Sequence, residues 1–411
     1  MIRVAIVSTV ACTLIAACNC PKRGNNPVAG EDQAAHYVFQ GLDSHQRETL
    51  ASQAAMQGRP IAVIALSGGA QNGAFGAGVL CNWDDRPPHV DMWTGISTGS
   101  LLLTHSVLIG PEIRFRAADL QAEKDRYRRE LEEAYTTYSE SDIMSKRSLI
   151  KMLTSSAMAS VEGLRAVVAK YVTNEAIDRV AESSSETDVL VVGTTDMDTG
   201  RFVAWDMKRL ALDKRYDLYR KIVFTSCLEP GAMDPEYLNG HMHGDGGVRY
   251  QIFAPLMQTE IARYLDTQGV RARALRAEPP PAATPPSQPL LLSIYLLVNG
   301  RLEEQAVLTG TCLIDIGLRA VDLLSLESKL GNLLRIQTLV EDLAFQVTND
   351  PRSKQFQVVL ASIDPVFQDL PTSHFDPVYM RRLFDHGEAR ALAKTAWRPF
   401  RVSGRGLVIT N

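Results

Sequence analysis

Ser97 lies in Gly95-Ile96-Ser97-Thr98-Gly99, a G-x-S-x-G pentapeptide set between two apolar runs. That is the form of a nucleophile elbow. The serine of such an elbow occupies a strained strand-to-helix turn, and Gly95 and Gly99 are small because side chains there would strike the neighbouring strand or helix. A serine hydroxyl is a poor nucleophile at neutral pH and needs a base within hydrogen-bond reach. Asp245, in His243-Gly244-Asp245-Gly246-Gly247, is a carboxylate on a tight glycine turn and can serve. A third element, Ser67-Gly68-Gly69-Ala70-Gln71-Asn72-Gly73, follows an apolar run of strand length. A strand feeding a glycine-rich turn and then a helix leaves backbone N–H groups free above the strand ends, which suits an anion: a phosphate, or the oxyanion of an acyl-transfer intermediate.

Several competing readings can be weighed on residues alone. No G-x-x-x-x-G-K-[ST] occurs, and no Lys or Arg lies between Arg59 and Arg86, which argues against a phosphate loop. Glycines that merely allow close helix–strand packing are the structural alternative. A Ser-His-Asp triad of hydrolase order would draw its histidine from near the C-terminus, where His374 and His386 are the candidates; both sit in or beside a polar helix expected over 376–394 and read as surface histidines. His241 and His243 flank Asp245, so His243 could tune it or touch substrate. His241-Met242-His243 lacks a third metal ligand at a recognisable spacing, and neither metal nor cofactor is expected.

Positioning these groups requires a particular frame. Strands are predicted at 60–66, around 90–94, and at 188–193, 201–205, 290–298 and 356–362, with helices between them. That alternation predicts an α/β fold, a three-layer sandwich with a largely parallel central sheet whose C-terminal edge gathers the glycine loops. A helical insertion is expected over 112–183. Its first part, 118–138, is dense in charge and reads as a solvated helix with i,i+4 pairs; its more apolar part, 149–171, could cap the site and shape an acyl pocket. Residues 278–289 are a proline-rich surface loop, 310–411 a C-terminal helical extension, and the leucine-rich helix from about 313 to 347 reads as core packing. Asn299-Gly300-Arg301 reads as a turn.

In their order, the glycine loop, G-x-S-x-G and D-G-G resemble the patatin-like phospholipase family. The likeness extends to Asp188–Gly200 and to Thr225-Ser226-Cys227-Leu228-Glu229-Pro230-Gly231, and covers roughly residues 60 to 250. The resemblance implies Ser97 as nucleophile and Asp245 as general base of a Ser-Asp dyad. It implies an oxyanion hole from the N–H groups of Gly68, Gly69, Ala70 and Gln71, with Gly73, Gly95, Gly99, Gly246 and Gly247 as motif glycines. The chain departs from the family at Ala70, where a third glycine is usual, and at Asn72, where Arg or Lys is usual. An alanine retains its N–H but restricts the backbone, so the turn can survive if that residue has negative φ. The missing cation bears on the preference for a phosphate head group.

The N-terminus carries a separate signal. One positive charge at Arg3, an apolar stretch Val4–Ala17 too short to span a bilayer, and Leu14-Ile15-Ala16-Ala17-Cys18 resemble a bacterial lipoprotein signal over residues 1–17. That resemblance implies lipidation of Cys18 and, with Asn19 next, sorting to the outer membrane. Residues 18–58 are then a tether and a leading helix, and 59–411 the hydrolase domain. A net charge of −4 leaves no nucleic-acid footprint. Cys227 reads as a buried small residue, and four widely spaced mature cysteines do not select a disulfide. The chain is expected to act on lipids or lipophilic esters, with thioesterase or acyltransferase chemistry open to the same dyad. The alternative is a catalytically weak envelope protein that binds an acyl ligand or a protein partner.

Overall fold

The computed structural model describes residues 34–110, 119–147, 157–254 except 184 and 186, 291–349 except 304, 305, 307 and 312, and 353–409 except 404 and 405. The expected signal, Cys18, the start of the tether and the 278–289 loop lie outside the described residues. In chain order the helices are α1 (Ser44–Met56), α2 (Gly73–Cys81), α3 (Thr98–Ile109), α4 (Leu120–Thr136), α5 (Glu140–Ile143), α6 (Glu162–Tyr171), α7 (Asn174–Ser183), α8 (Met207–Leu212), α9 (Tyr216–Thr225), α10 (Leu313–Thr348) and α11 (Pro377–Leu392). The strands are β1 (Ile61–Leu66), β2 (Met92–Ile96), β3 (Ser145–Lys146), β4 (Ala159–Ser160), β5 (Val189–Asp196), β6 (Arg201–Asp206), β7 (Glu236–Leu238), β8 (His241–Asp245), β9 (Leu292–Val298), β10 (Phe356–Ser362), β11 (Arg398–Ser403) and β12 (Gly406–Ile409).

The large sheet runs β12-β11-β10-β9-β1-β2-β5-β8-β7, with β6 also paired to β5. Its five middle strands, β10-β9-β1-β2-β5, are parallel, and the strands outside them pair antiparallel. The continuous apolar run of β1 follows from this placement, because a central parallel strand is covered on both faces. Ile64 and Leu66 join the layer containing Phe75, Leu102 and Leu103, while Ile61, Val63 and Ala65 face Leu333, Ile336 and Val340 of α10. The fold is the expected three-layer α/β arrangement.

Some expectations change in detail. The strand expected near 90–94 runs to Ile96, so Ser97 follows it without a spacer. Residues 310–411, expected as a helical extension, also contribute β10, β11 and β12 to the sheet. Among the described side chains of α10, those of the second half pack as core. Leu333, Ile336, Val340 and Leu343 are buried there, whereas Ile316, Val321, Leu323 and Leu324 are exposed. The charged helix α4 is not merely solvated: its ion pairs, such as Arg128–Asp125 at 2.9 Å, lie on one side, and Tyr127, Leu131 and Tyr135 are buried on the other.

Candidate active site

Strand β2 ends at Ile96 and α3 begins at Thr98, so a single residue must turn the chain. That residue is Ser97, at φ 54° and ψ −126°, a left-handed conformation that costs a non-glycine residue about 1–3 kcal/mol. The surroundings hold it there. A Cβ on Gly99 would lie 2.3 Å from the Leu66 carbonyl oxygen, and one on Gly95 2.6 Å from the Gly99 carbonyl oxygen, so strand and helix approach through the two glycines. The Ser97 N–H donates to Ser226 Oγ at 2.9 Å, and Ser226 Oγ donates to the Gly193 carbonyl at 2.7 Å, tying the elbow to β5. Ser100 Oγ donates to the Ser97 carbonyl at 2.6 Å.

Asp245 ends β8, whose pairing with Thr194 on β5 brings it to the same sheet edge. Its carboxylate accepts the Gly247 N–H at 2.6 Å and is hydrogen-bonded to the Ser97 hydroxyl. Burial pushes its pKa up to about 7, an effect opposed by the Ser97 and Gly247 hydrogen bonds and reinforced by the negative charge of Glu229. What exposure it keeps is toward an apolar cavity that Ser97 also lines. Gly246 is needed where it stands, since a Cβ would lie 2.5 Å from the Gly193 carbonyl oxygen.

The glycine loop comes off β1 beside these two residues. Gly68 does not offer a free donor, contrary to expectation: its N–H donates to the Gln251 carbonyl at 3.1 Å. Gly69 and Ala70 have no hydrogen-bond partner for their N–H groups among the described residues, and Ala70 lines the cavity with Ser97. Ala70 does not meet the condition of negative φ: its φ is 47°, and the turn forms nonetheless. It begins a single 3-10 turn, Ala70–Asn72, and the left-handed value is what lets the chain leave β1 sharply before α2. Gln71 turns its side chain away, accepting the Asp376 N–H at 3.1 Å, and Asn72 accepts the Tyr379 hydroxyl at 2.9 Å. Gly73 packs against Thr98, whose Oγ1 would be 2.3 Å from an added Cβ.

Four supporting residues carry no motif in the sequence. Asn299, expected only as a turn, is fully buried at the end of β9; its N–H donates to Ser67 Oγ and its Nδ2 to the Ser67 carbonyl, both at 2.8 Å. Gln251 links two parts of the site, since its carbonyl takes the Gly68 N–H and its Nε2 donates to the Gly247 carbonyl at 2.9 Å. Asn332 on α10 accepts the Gln251 N–H at 2.9 Å. Tyr135 on α4 donates to the Thr98 carbonyl at 2.9 Å, bracing the first turn of α3. Alternating polarity could not reveal these roles, because each rests on a bond to backbone distant in sequence.

The other candidates lie elsewhere. His243 is buried with Nδ1 3.0 Å from Thr194 Oγ1, which also accepts Trp205 Nε1, and so belongs to the packing beneath the strand. His241 Nδ1 lies 3.0 Å from Asp196 Oδ2. Asp196, Asp198 and His241 bring ligand atoms within 4.8 Å of one another, but Asp196 accepts the N–H groups of Asp198 and Thr199 in the β5–β6 turn and Asp198 accepts the N–H of Met242 on β8. His386 lies 4.0 Å from Asp364. Among the described residues the one histidine lining the cavity is His105, whose Nε2 is 3.1 Å from Glu130. Cys227 is buried, as expected, with a thiol pushed up by burial, and Cys81 is also free.

The arrangement can therefore direct a serine oxygen, at the N-terminus of a helix, toward a carbonyl in an apolar cavity, with a carboxylate of near-neutral pKa beside it. Residues 64–257 match the family described as patatin-like phospholipase. No curated protein matches the chain in sequence. Among solved structures, the crystal structure of VipD from Legionella pneumophila is similar at 12% identity over 83% of this chain and 68% of that one, with a TM-score of 0.31.

Proposed function

We propose that the chain, whose residues 64–257 match the patatin-like phospholipase family, is a lipid acyl hydrolase working through a Ser97–Asp245 dyad. The observation that carries the reading is the meeting, at one sheet edge, of a strained Ser97 with a half-buried Asp245 that accepts a hydrogen bond from it. As Ser97 Oγ attacks the ester carbonyl, its proton passes to the Asp245 carboxylate and the carbonyl oxygen takes up negative charge. The N–H groups of Gly69 and Ala70, with the N-terminus of α3, are the donors assigned to that charge. Collapse of the tetrahedral adduct expels the alcohol, which leaves with the proton held on Asp245. A water then gives its proton to Asp245, attacks the Ser97 ester and releases the fatty acid, and Ser97 recovers its proton from Asp245.

Enclosure accounts for the choice of base. A carboxylate in water is too weak a base to be useful near pH 7, and burial brings Asp245 to the pH at which proton transfer is balanced. The cavity beyond Ser97 is lined mainly by apolar side chains from α3, α4 and α6, which suits an acyl chain. Asn72 provides no cation, and its amide is bound to Tyr379, so the site is suited to the ester and its acyl group more than to a phosphate. Attachment to a bacterial envelope through Cys18, outer membrane favoured, is part of the proposal and rests on the sequence of residues 1–18.

Hydrolysis of a p-nitrophenyl ester by purified protein tests the reading. The parent should turn over and Ser97→Ala should not, with both folded by circular dichroism; equal activity in Ser97→Ala would overturn it.

A further inference from the structure

The opening of the cavity beside Ser97 is marked by exposure. Among the described residues that line it, Ala70 and Glu229 are exposed, whereas Ser97 and Asp245 are half-buried and the others are buried or half-buried. Glu229 therefore stands where the cavity meets solvent, as does the loop assigned to the oxyanion. Backbone bonds fix it beside the dyad. The Asp245 N–H donates at 2.8 Å to the carbonyl of Leu228, the residue before Glu229, and the Glu229 carbonyl accepts the Met233 N–H at 2.9 Å. Gly244 allows that approach, since a Cβ there would lie 3.2 Å from the Leu228 carbonyl oxygen and 3.2 Å from Pro230 Cγ.

The charge at this opening is one-sided. The Glu229 carboxylate has no hydrogen-bond or ion-pair partner among the described residues, and Asp322 of α10 adds a second negative charge that acts on it, with His374 acting the other way. No Lys or Arg is among the described residues that line the cavity. Lys170, over the rings of Tyr138 and Tyr171 at 5.5 and 4.8 Å, is held by Glu133 at 2.8 Å. An ion that approaches Ser97 from solvent thus meets carboxylates that no Lys or Arg of the lining offsets.

An ester with its carbonyl at Ser97 and its acyl group among the apolar side chains leaves its alcohol part at the opening. Resting on the hydrolase reading, we propose that Glu229 selects this alcohol by charge, accepting neutral and cationic alcohols and turning away those that carry a phosphate, sulfonate or carboxylate. An anionic alcohol gains no cation there and is repelled, whereas a cationic one finds an unpaired carboxylate. Glu229 is thus a specificity-determining residue that takes no part in proton transfer at Ser97.

Three butyryl esters test this by charge alone: butyrylcholine, its uncharged carbon isostere neohexyl butyrate, and the butyryl ester of isethionate, an anionic sulfonate. In a pH-stat at pH 8, where Asp245 with its pKa of about 7 is ionised, kcat/KM should fall in that order. Each step should be about threefold, the scale of a part-exposed ion pair. Glu229→Gln should shrink both steps and Glu229→Lys should reverse them; taking ratios within one variant cancels any change the substitution makes to Asp245. Salt at about 1 M should compress the parent series, which a preference for shape would not show. A flat series in the parent, or steps that neither variant changes, overturns the proposal; if Glu229→Lys does not fold by circular dichroism, Glu229→Gln decides. Calorimetric titration of Ser97→Ala protein with the same three esters separates this inference from the hydrolase reading. The same order in affinity without turnover by the parent upholds Glu229 and contradicts the hydrolase, whereas turnover of all three with equal kcat/KM does the reverse.

Discussion

Acidification should silence the site at a pH where an ordinary carboxylate base would still work. Asp245 must be ionised to accept the Ser97 proton, and burial, against the Ser97 and Gly247 hydrogen bonds, places its pKa at about 7. The ionised fraction then falls to about a tenth at pH 6 and about a hundredth at pH 5, and kcat/KM should fall with it. A carboxylate at 3.8 would remain more than about nine-tenths ionised at pH 5, so the two cases differ by close to two orders of magnitude there. The charge of Glu229 raises the same pKa, so Glu229→Gln should move the acid limb to lower pH. Linkage gives a second readout. A carboxyl raised in the folded state stabilises the fold below its unfolded pKa of 3.8 and loses that contribution as pH rises through about 7. Asp245→Asn should therefore abolish turnover yet raise the melting temperature at pH 8, relieving at most roughly 4 kcal/mol. A pH-stat assay of ester hydrolysis from pH 4.5 to 9, with thermal unfolding of Asp245→Asn alongside, checks both. A kcat/KM flat to pH 5, or an acid limb near 4, would refute the argument that burial makes Asp245 a neutral-range base.

Three further outcomes follow from the geometry. Gly99→Ala puts a Cβ 2.3 Å from the Leu66 carbonyl oxygen, with backbone on both sides, and should cost more than about 3 kcal/mol in denaturant unfolding; a near-neutral change would mean that the elbow is loose. Asn332→Leu leaves the Gln251 N–H, bonded at 2.9 Å, without its acceptor, and should lower stability by about 1–3 kcal/mol and reduce kcat more than it changes KM, while Asn332→Asp, which keeps an acceptor, should restore kcat. At the opposite end of the strands, His89 lies 3.0 Å from Asp188 and 3.3 Å from Asp91. Burial would lower its pKa, but those two partners raise it to about 9, so its contribution is complete below pH 6.5 and lost as pH rises through about 9. Thermal unfolding should show a fall in stability over that window of at most roughly 3 kcal/mol, absent in His89→Ala.

Much of the site was legible because its parts are local. Gly95 and Gly99 flank Ser97 within one turn, and the Asp245 turn carries its own glycines, so strand, turn and helix could be placed from short stretches. The central strands were legible for a related reason: buried on both faces, β1 reads as a continuous apolar run and β9 as one interrupted by Ser293. What escaped the sequence is non-local. Whether Gly68 keeps its N–H free depends on where the Gln251 carbonyl falls, 183 positions away, and Asn332 in turn fixes Gln251 from α10. The positive φ of Ala70 is equally non-local: side-chain preference alone argues against it, whereas the sharp exit from β1 over Gly69 imposes it, and a Cβ on Gly69 would lie 1.8 Å from the Asn299 carbonyl oxygen, so that turn has no room to relax. The exposed apolar side of α10 near Leu323 and Leu324 illustrates a third limit, since helical spacing reports amphipathicity but not which turns of a 36-residue helix meet the sheet.

The most direct test of the central claim is mass spectrometry of the intact protein after treatment with a fluorophosphonate, which reacts only with an activated serine. The dyad predicts one adduct per chain, located on Ser97 by peptide mapping, absent from Ser97→Ala and strongly slowed in Asp245→Asn. An unlabelled parent protein, or an adduct that persists in Ser97→Ala, would contradict it.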